Sequence, residues 1–235
     1  MDALTITEMT TRGLTRRRGA AALLLALPLA FYLVRHDLPG QSVRFLAIGL
    51  AWAASTLALF ATLDARAAEP RLVVAGWSRR DLVGGRVLAL LGVALAMAAT
   101  YLSIVAIDQQ VDDLAGIALM LGVTACTSVA LGTALGALAA RELEGALALF
   151  ILAGLQFMAD PPSTLAHLLP FWSTRELGTH AIDGADAASL NAAMTHAALT
   201  VLLCALVTVA ATAHRLAPGP GGHGRQRARR RWRPA

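Results

Sequence analysis

The sequence predicts an all-α integral membrane protein, in which six transmembrane helices form one bundle with both termini in the cytoplasm. Two observations predict this fold class: 57% of the 235 residues are hydrophobic, with a mean hydropathy of +0.61, and apolar stretches recur along the chain. One bilayer span takes about 20 predominantly apolar residues, with a range of roughly 17–25. A water-soluble domain of this size does not need six segments of this kind. The stretches cover residues 19–34, 45–63, 87–107, 114–140, 145–159 and 192–214.

The stretches differ in how easily they can cross a bilayer. The second, third, fourth and sixth reach the required length without strain. The first has 16 residues, and Arg18 and Arg35 at its ends can extend it toward the interfaces. A signal peptide is the rival interpretation of this stretch, although no convincing cleavage site follows it. The fifth has 15 residues, about 22 Å of helix, so it is either tilted into a thinned region or continued by other structure.

The distribution of arginine predicts the orientation. All 20 basic residues are arginine, and six spans place all but Arg35, Arg44 and Arg175 on one side. By the positive-inside rule that side, with both termini, is cytoplasmic. Five spans would place the basic tail outside, so the charge distribution disfavours that number. The opposite loops contain the acidic residues Asp108, Asp112, Asp113, Asp160, Asp183 and Asp186.

The chain divides into three parts. Residues 1–18 form a cytoplasmic segment that is either an interfacial helix or a frayed terminus. Residues 19–216 form the six-helix transmembrane domain. Residues 217–235 are rich in glycine and proline and then in arginine, which predicts a disordered cytoplasmic tail close to anionic lipid. An arginine tail beside a final span is typical of a topology anchor, so we predict no nucleic-acid partner.

The most distinctive segment is the basic loop between the second and third stretches. Residues 64–86 contain five arginines together with Gly76 and Trp77. The loop is too long for a tight turn and too apolar for a plain linker. We therefore predict a short helix on the inner face of the membrane, where a cytoplasmic partner could bind it. The alternative is that its arginines bind anionic headgroups, at about 1 kcal/mol each.

A second unusual segment lies between the fifth and sixth stretches. Pro161 and Pro162 end the fifth helix, and Ser163 or Thr164 can then cap a second helix. This second piece is apolar, too short to span, and interrupted by Pro170. It predicts either a re-entrant hairpin, which must be satisfied by protein or by a wet cavity, or an external loop helix.

Three further features concern packing. Gly132 and Gly136 form a GxxxG motif on the fourth stretch, which permits close helix approach either within the chain or between two chains. Trp172 fits an anchor at the outer membrane interface. Cys126 and Cys204 lie in apolar stretches without metal-binding spacing, which favours a packing role.

The composition excludes several chemistries. The chain has no lysine, so it contains neither a GxxxxGK[ST] phosphate loop nor a Schiff-base lysine. No charge lies well inside a predicted span, which disfavours a proton relay or an ion-coupled carrier. His167, His180 and Asp183 share the last outer loop and are the only cluster for a membrane enzyme, but their spacing matches no metal motif. We predict no catalytic residue, no metal site and no cofactor in this chain.

Two inner loops resemble those of a known family, and the number of spans strengthens the likeness. The first motif is Arg71-Leu72…Gly76-x-Ser78-Arg79-Arg80-x-Leu82…Gly85-Arg86, and the second is Arg141-Glu142-Leu143-Glu144-Gly145. Together with six spans and a broken segment before the last one, they resemble the permease subunit of ABC exporters of the ABC-2 type. One departure is the acidic-Gly run often found after span two, for which Asp64 and Glu69 are the only candidates.

The resemblance implies a half-transporter of the bacterial inner membrane. Two permease chains, identical or different, would form the substrate pathway, and two cytoplasmic ATPase subunits would bind ATP and magnesium. Residues 66–82 would be the coupling helix that docks on the ATPase, with Trp77 as its buried anchor. The residues implied in partner binding are Arg71, Gly76, Trp77, Ser78, Arg79, Arg80 and Asp81.

The cargo implied by the resemblance is a lipophilic or amphipathic small molecule, such as a drug, an antibiotic or a lipid, moved by efflux. The apolar composition of the spans suits such a cargo without naming it. Two alternatives stay open from the residues alone. One is a polytopic membrane enzyme, and the other is an assembly subunit of a larger membrane complex.

Overall fold

The computed structural model describes residues 3–16, 18–160 and 163–216, and these residues form α-helices and connecting turns without a strand. Each of the six predicted stretches coincides with one helix. The predicted tail at residues 217–235 and the pair Pro161 and Pro162 lie outside the described residues. The helices are α1 (Ala3–Arg16), α2 (Arg18–Val34), α3 (Pro39–Arg66), α4 (Glu69–Val74), α5 (Arg79–Asp108), α6 (Leu114–Leu138), α7 (Glu142–Met158), α8 (Thr164–Leu168), α9 (Trp172–Asp183) and α10 (Ala187–Arg215).

Four helices are long and apolar enough to cross a membrane. They are α3, α5, α6 and α10, with 28, 30, 25 and 29 residues. The prediction of an all-α membrane protein with several spans is confirmed. Helices α2 and α7 have 17 residues each, near the lower limit for a span, so their crossing stays a prediction.

Contacts between helix ends show that α3, α5 and α6 alternate in direction. At one end, the Arg66 guanidinium of α3 donates to the Gly136 carbonyl oxygen of α6 at 3.2 Å. At the other end, Gln109 Nε2, just after α5, donates to Ser42 Oγ in the first turn of α3 at 2.7 Å. We call the first the arginine-rich end, after Arg66, Arg86, Arg141 and Arg215. We call the second the acidic end, after Asp108, Asp113, Asp183 and Asp186.

Helix α3 lies at the centre of the bundle and packs closely against α6. Its Leu50 is fully buried, as is Leu90 of α5 in the same core cluster. Gly132 and Gly136 face α3, and a Cβ atom added at Gly136 would lie 2.7 Å from Thr62 Cβ. A larger residue at either glycine would therefore collide with α3. The GxxxG motif packs within the chain, which was one of its two predicted uses.

Helix α1 lies against the first turns of α5. Thr7 Oγ1 donates to the Gly85 carbonyl oxygen at 2.9 Å, and Ile6 is buried. The opposite face is solvated and holds an exposed ion pair between Glu8 and Arg12 at 2.5 Å, one helical turn apart. Residues 3–16 thus form a helix that packs on the bundle, and its position at the membrane interface stays a prediction.

The basic loop is not one helix over residues 66–82, and that predicted boundary is wrong. The chain leaves α3 at Arg66, forms the six-residue helix α4, turns at Gly76, and enters α5 at Arg79. Gly76 has a φ of +96°, the left-handed conformation that ends a helix in a Schellman motif. In this motif Trp77 N–H donates to the Leu72 carbonyl oxygen at 3.0 Å, and Gly76 N–H donates to that of Val73 at 3.1 Å. The sequence interpretation noted a break at Gly76 but still extended the coupling helix past it to residue 82.

Two short helices form the segment between α7 and α10. Ser163 caps α8 by accepting the Ala166 N–H at 3.2 Å, and Pro170 separates α8 from α9. Trp172 is only 8% exposed, because its ring packs between the imidazoles of His167 and His196, with centroids 4.6 and 5.1 Å away. The prediction of Trp172 as an interfacial anchor is therefore wrong. The choice between a re-entrant hairpin and an external loop helix stays open.

Candidate functional site

A buried ion cluster ties together three helices at the arginine-rich end. Glu69, in the first turn of α4, is 1% exposed. Arg86 of α5 donates to its Oε1 atom at 2.5 Å, and Arg215 of α10 donates to its Oε2 atom. Each carboxylate oxygen thus pairs with a different helix. We call Glu69, Arg86 and Arg215 the Glu69 cluster.

The Glu69 cluster fixes α4 against the two helices that it contacts. Burying a charge costs several kcal/mol, and the cost is offset only where good hydrogen bonds satisfy the group. The Arg86 side chain is 6% exposed and that of Arg215 is 25% exposed, so little water competes for the carboxylate. A displacement of α4 must therefore break these pairs or move α5 and α10 with it.

Other arginines at this end satisfy carbonyl groups at helix ends. The last four carbonyl groups of a helix have no partner within the helix and need one from outside. Arg66 donates to the carbonyl oxygens of Gly136 and Ala139 at the end of α6. Arg79 Nη2 donates to the Leu216 carbonyl oxygen just after α10 at 2.5 Å. Part of the arginine excess thus serves internal contacts rather than topology alone.

The connection from α4 to α5 presents a mixed apolar and basic surface. Val74 is 90% exposed at the end of α4, beside an exposed Arg71. Gly76, Ser78 and Arg80 are also exposed, whereas Trp77 is partly buried. We call these residues the α4 tip: Arg71, Val74, Gly76, Trp77, Ser78 and Arg80. An exposed valine and a partly buried tryptophan between arginines suit protein contact, since aromatic and arginine residues dominate interface energetics.

The structure separates the predicted partner-binding residues into two groups. Arg71, Gly76, Trp77, Ser78 and Arg80 lie together on the α4 tip, while Arg79 is directed to α10. Asp81 is partly buried, and its N–H donates to Ser78 Oγ at 3.1 Å as part of the α5 cap.

Sequence reasoning missed three residues at this end: Val74, Glu69 as a buried group, and Arg215 as its partner. Val74 ends the apolar run Leu72-Val73-Val74, and no sequence pattern marks which of these side chains is exposed. Glu69 and Arg215 are 146 positions apart, and no local pattern joins them.

A cavity of about 650 Å³ opens at the acidic end between α3, α7 and α9. Its apolar lining includes Ala51 and Trp52 of α3, Met120 of α6, and Leu149 and Ala153 of α7. Its polar part lies nearer the acidic end and contains Gln41, Arg44, Gln156, Arg175, Thr179 and Asp183. Sequence reasoning did not find this cavity, because its lining comes from four helices that are far apart in the chain.

The outer histidines do not form a site together. His167 Nδ1 lies 2.9 Å from the Ser163 carbonyl oxygen, and His180 Nδ1 lies 2.6 Å from that of Ala185. Asp183 pairs instead with Arg44 at 2.5 Å. Within residues 3–16, 18–160 and 163–216, the structure contains no group of three or more His, Cys, Asp or Glu side chains that could hold a metal ion. The three residues that sequence reasoning grouped for a membrane enzyme thus have separate partners.

The chain matches no protein-family model and no curated protein sequence.

Proposed function

We propose that this protein is the transmembrane subunit of an ATP-driven exporter of the ABC-2 type in the bacterial inner membrane. A second permease chain, identical or different, completes the substrate pathway, and cytoplasmic ATPase subunits bind ATP and magnesium. In this proposal the arginine-rich end faces the cytoplasm, as the positive-inside rule expects. The observation that carries the proposal is the α4 tip, an exposed surface joined directly to buried charges of two long helices.

The α4 tip supports coupling because it combines an accessible surface with a rigid attachment. Val74, Trp77 and Arg80 offer apolar and charged contacts to a partner groove. Glu69, in the same short helix, is paired with Arg86 and Arg215. A partner that moved α4 would thereby displace α5 and α10. Rigid-body rotations of this kind are the usual way in which closure of one subunit rearranges another.

Lipid binding by the loop is the rival explanation of the same arginines. Three of the five, Arg66, Arg79 and Arg86, contact groups within the chain. Only Arg71 and Arg80 are fully directed outward in the described loop. Two exposed arginines contribute about 2 kcal/mol of attraction to an anionic lipid surface. An attraction of this kind does not require the ordered turn between α4 and α5. The pairing of exposed Val74 with Trp77 favours a protein partner.

The proposal is tested by copurification. The tagged chain is expressed with its neighbouring genes, solubilised in mild detergent and purified by affinity and size exclusion. We expect an ATPase subunit in stoichiometric amount, which Trp77→Ala or Arg80→Glu removes while the yield of this chain is unchanged. Arg12→Glu, at the same end on the exposed face of α1, is the matched charge control and keeps the ATPase.

Two results would contradict the proposal. One is a monodisperse preparation of this chain without any ATPase. The other is an ATPase that is lost equally with Arg12→Glu, because this would show that general charge rather than the α4 tip holds it. In the first case an assembly subunit of a membrane complex becomes the better interpretation, and the other copurifying chains would identify that complex.

A further inference from the structure

Two arginines lie in the cavity against the general charge distribution of the chain. Only Arg35, Arg44 and Arg175 fall on the acidic side of the six predicted spans, and two of the three line this cavity. In the proposed orientation this is the non-cytoplasmic side, where arginine is depleted in membrane proteins. Two arginines at one cavity on that side therefore indicate a local function.

The charges in the cavity are not balanced. Arg44 Nη2 pairs with Asp183 Oδ2 at 2.5 Å, and the Arg44 side chain is 29% exposed. Arg175 is exposed, and within the described part of the chain it has no ion pair. The opening thus keeps one uncompensated positive charge. A guanidinium presents several N–H donors in a planar fork, which fits the oxygens of a carboxylate or a phosphate.

A buried acceptor that lacks a donor lies beside the cavity. Gln156 Oε1 is buried and has no hydrogen-bond partner in the described part of the protein. Leaving a buried acceptor unsatisfied costs about 1–3 kcal/mol. Gln156 lines the cavity near the acidic end of α7. Because this oxygen is closed off from the cavity, the polar recognition that the cavity offers depends on its two arginines.

The remaining wall suits an apolar chain. On α3 the lining runs from Gln41 to Trp52, a rise of about 16 Å along the helix axis. The polar residues lie at the start of this path, and Ala51, Trp52 and Ala153 lie at its other end. The volume of about 650 Å³ falls within the range of roughly 300–1,000 Å³ found for small-molecule pockets.

We propose that the cavity binds an anionic amphiphile, with its headgroup at Arg175 and Arg44 and its apolar chain along Trp52 and Ala153. As a cargo or regulatory site this proposal rests on the proposed exporter function. As a binding site it depends only on this chain, so it is tested without a partner.

The test uses Trp52 as the reporter. The full chain with Trp77→Phe, Trp172→Phe and Trp232→Phe retains Trp52 alone and is reconstituted in phosphatidylcholine nanodiscs. Dibrominated phosphatidylglycerol, whose headgroup has a phosphate and hydroxyls, is added in increasing amount, and bromine quenches the indole on contact. We expect saturable quenching, at a lower mole fraction than with dibrominated phosphatidylcholine. Dibrominated stearate, a carboxylate without a hydroxyl, separates a fatty-acid ligand from a phospholipid.

Matched variants locate the binding. Arg175→Gln is expected to weaken binding by about tenfold or more, since it removes a charge-assisted hydrogen bond. Arg35→Gln removes the same charge at the same end outside the lining and leaves binding unchanged. Ala153→Phe fills the apolar part and abolishes quenching while Arg175 is retained.

Saturable quenching by either anionic probe supports the proposal if Arg175→Gln abolishes it. The probe that quenches then shows whether the ligand is a phospholipid or a fatty acid. Equal quenching by phosphatidylcholine, or quenching that Arg175→Gln does not change, overturns it. A Trp52 that no probe reaches also overturns it, because a second copy of the chain or bulk packing then closes the cavity. None of these results depends on an ATPase, so a failure here is distinct from a failure of the copurification.

Discussion

Glu69 is a single carboxylate that faces two guanidinium groups in a part of the protein with little water. Arg86 and Arg215 each take one of its oxygens, and Arg66 lies near enough to add to the positive potential. Removing one member of a buried pair leaves the other charge buried and uncompensated. In this cluster the carboxylate is the member that cannot be replaced, because two cations depend on it.

We expect Glu69→Gln to destabilise the protein by about 3–5 kcal/mol, the usual cost of breaking a buried pair. The measurement is the thermal midpoint of the purified chain in detergent, followed by tryptophan fluorescence. Adding Arg86→Met to Glu69→Gln should restore part of the loss, since it removes one of the stranded cations. Glu142→Gln, an exposed carboxylate at the same end, is the control and should cost less than about 1 kcal/mol. Equal effects of the two single variants would contradict a special role for Glu69.

The residues of this cluster also show where sequence reasoning stops. Sequence reasoning counts Arg86 and Arg215 among the arginines on one side of the membrane, and a charge count names no partner. Both side chains contact Glu69 only because α4 folds back under the bundle. Burial of this kind depends on tertiary contacts, which hydropathy windows do not contain. The prediction for Trp172 was wrong for the same reason, since the burial of its ring depends on a contact with His196 from another helix.

At the scale of an element, the α4 tip depends on one backbone conformation. Gly76 adopts a φ of +96°, which an L-residue with a Cβ atom reaches only at a cost. No neighbouring atom lies within 4 Å of a Cβ atom built at Gly76, so space does not limit this position. Any effect of a substitution there is therefore conformational. Gly84, in the first turns of α5, also has open space but lies within a regular helix.

These two glycines give a prediction with opposite signs. Gly76→Ala should destabilise the turn by about 1–2 kcal/mol, because it forces a residue with a Cβ atom into the left-handed region. Gly84→Ala should stabilise the protein by about 0.5–1 kcal/mol, since alanine is favoured in a helix interior. Both are measured as shifts of the thermal midpoint in one detergent. If the shifts have the same sign, the left-handed turn at Gly76 does not exist in solution.

Helix existence was more predictable than helix ends. All six apolar stretches became helices, because burial in lipid or protein favours the same composition. Some helices begin before the apolar stretch that predicts them, because their first turns are polar. Helix α5 begins at Arg79 rather than at residue 87, since Ser78 caps it by accepting the Asp81 N–H. In the basic loop the sequence predicts one helix over residues 66–82, but the turn at Gly76 separates α4 from α5. The helix-ending preference of this glycine outweighed the apolar character of the residues around it.

At the scale of the whole molecule, the number of crossings follows from where the long helices begin and end. Helix α6 finishes at the arginine-rich end, where Arg66 contacts Gly136, whereas α10 starts at the acidic end, beside α9. Helix α7 is the segment that runs between these ends. By the same logic α2 connects α1, which touches Gly85 at the arginine-rich end, to the start of α3. Two helices of only 17 residues thus link the same two ends of the bundle as the four long ones, and their crossing of a membrane stays a prediction.

This geometry predicts six crossings, and cysteine accessibility can count them. In a Cys126→Ala, Cys204→Ala background, single cysteines replace exposed residues, and a membrane-impermeant thiol reagent is added to intact cells. We expect Asp37→Cys, Asp112→Cys and Asp160→Cys at the acidic end to be labelled from outside. Arg12→Cys, Val74→Cys and Arg141→Cys at the arginine-rich end should react only after the cells are opened. If Asp37 and Arg12, or Asp160 and Arg141, report the same side, then α2 or α7 does not cross, and the antiparallel packing of the long helices would have to arise within a thinned or re-entrant region.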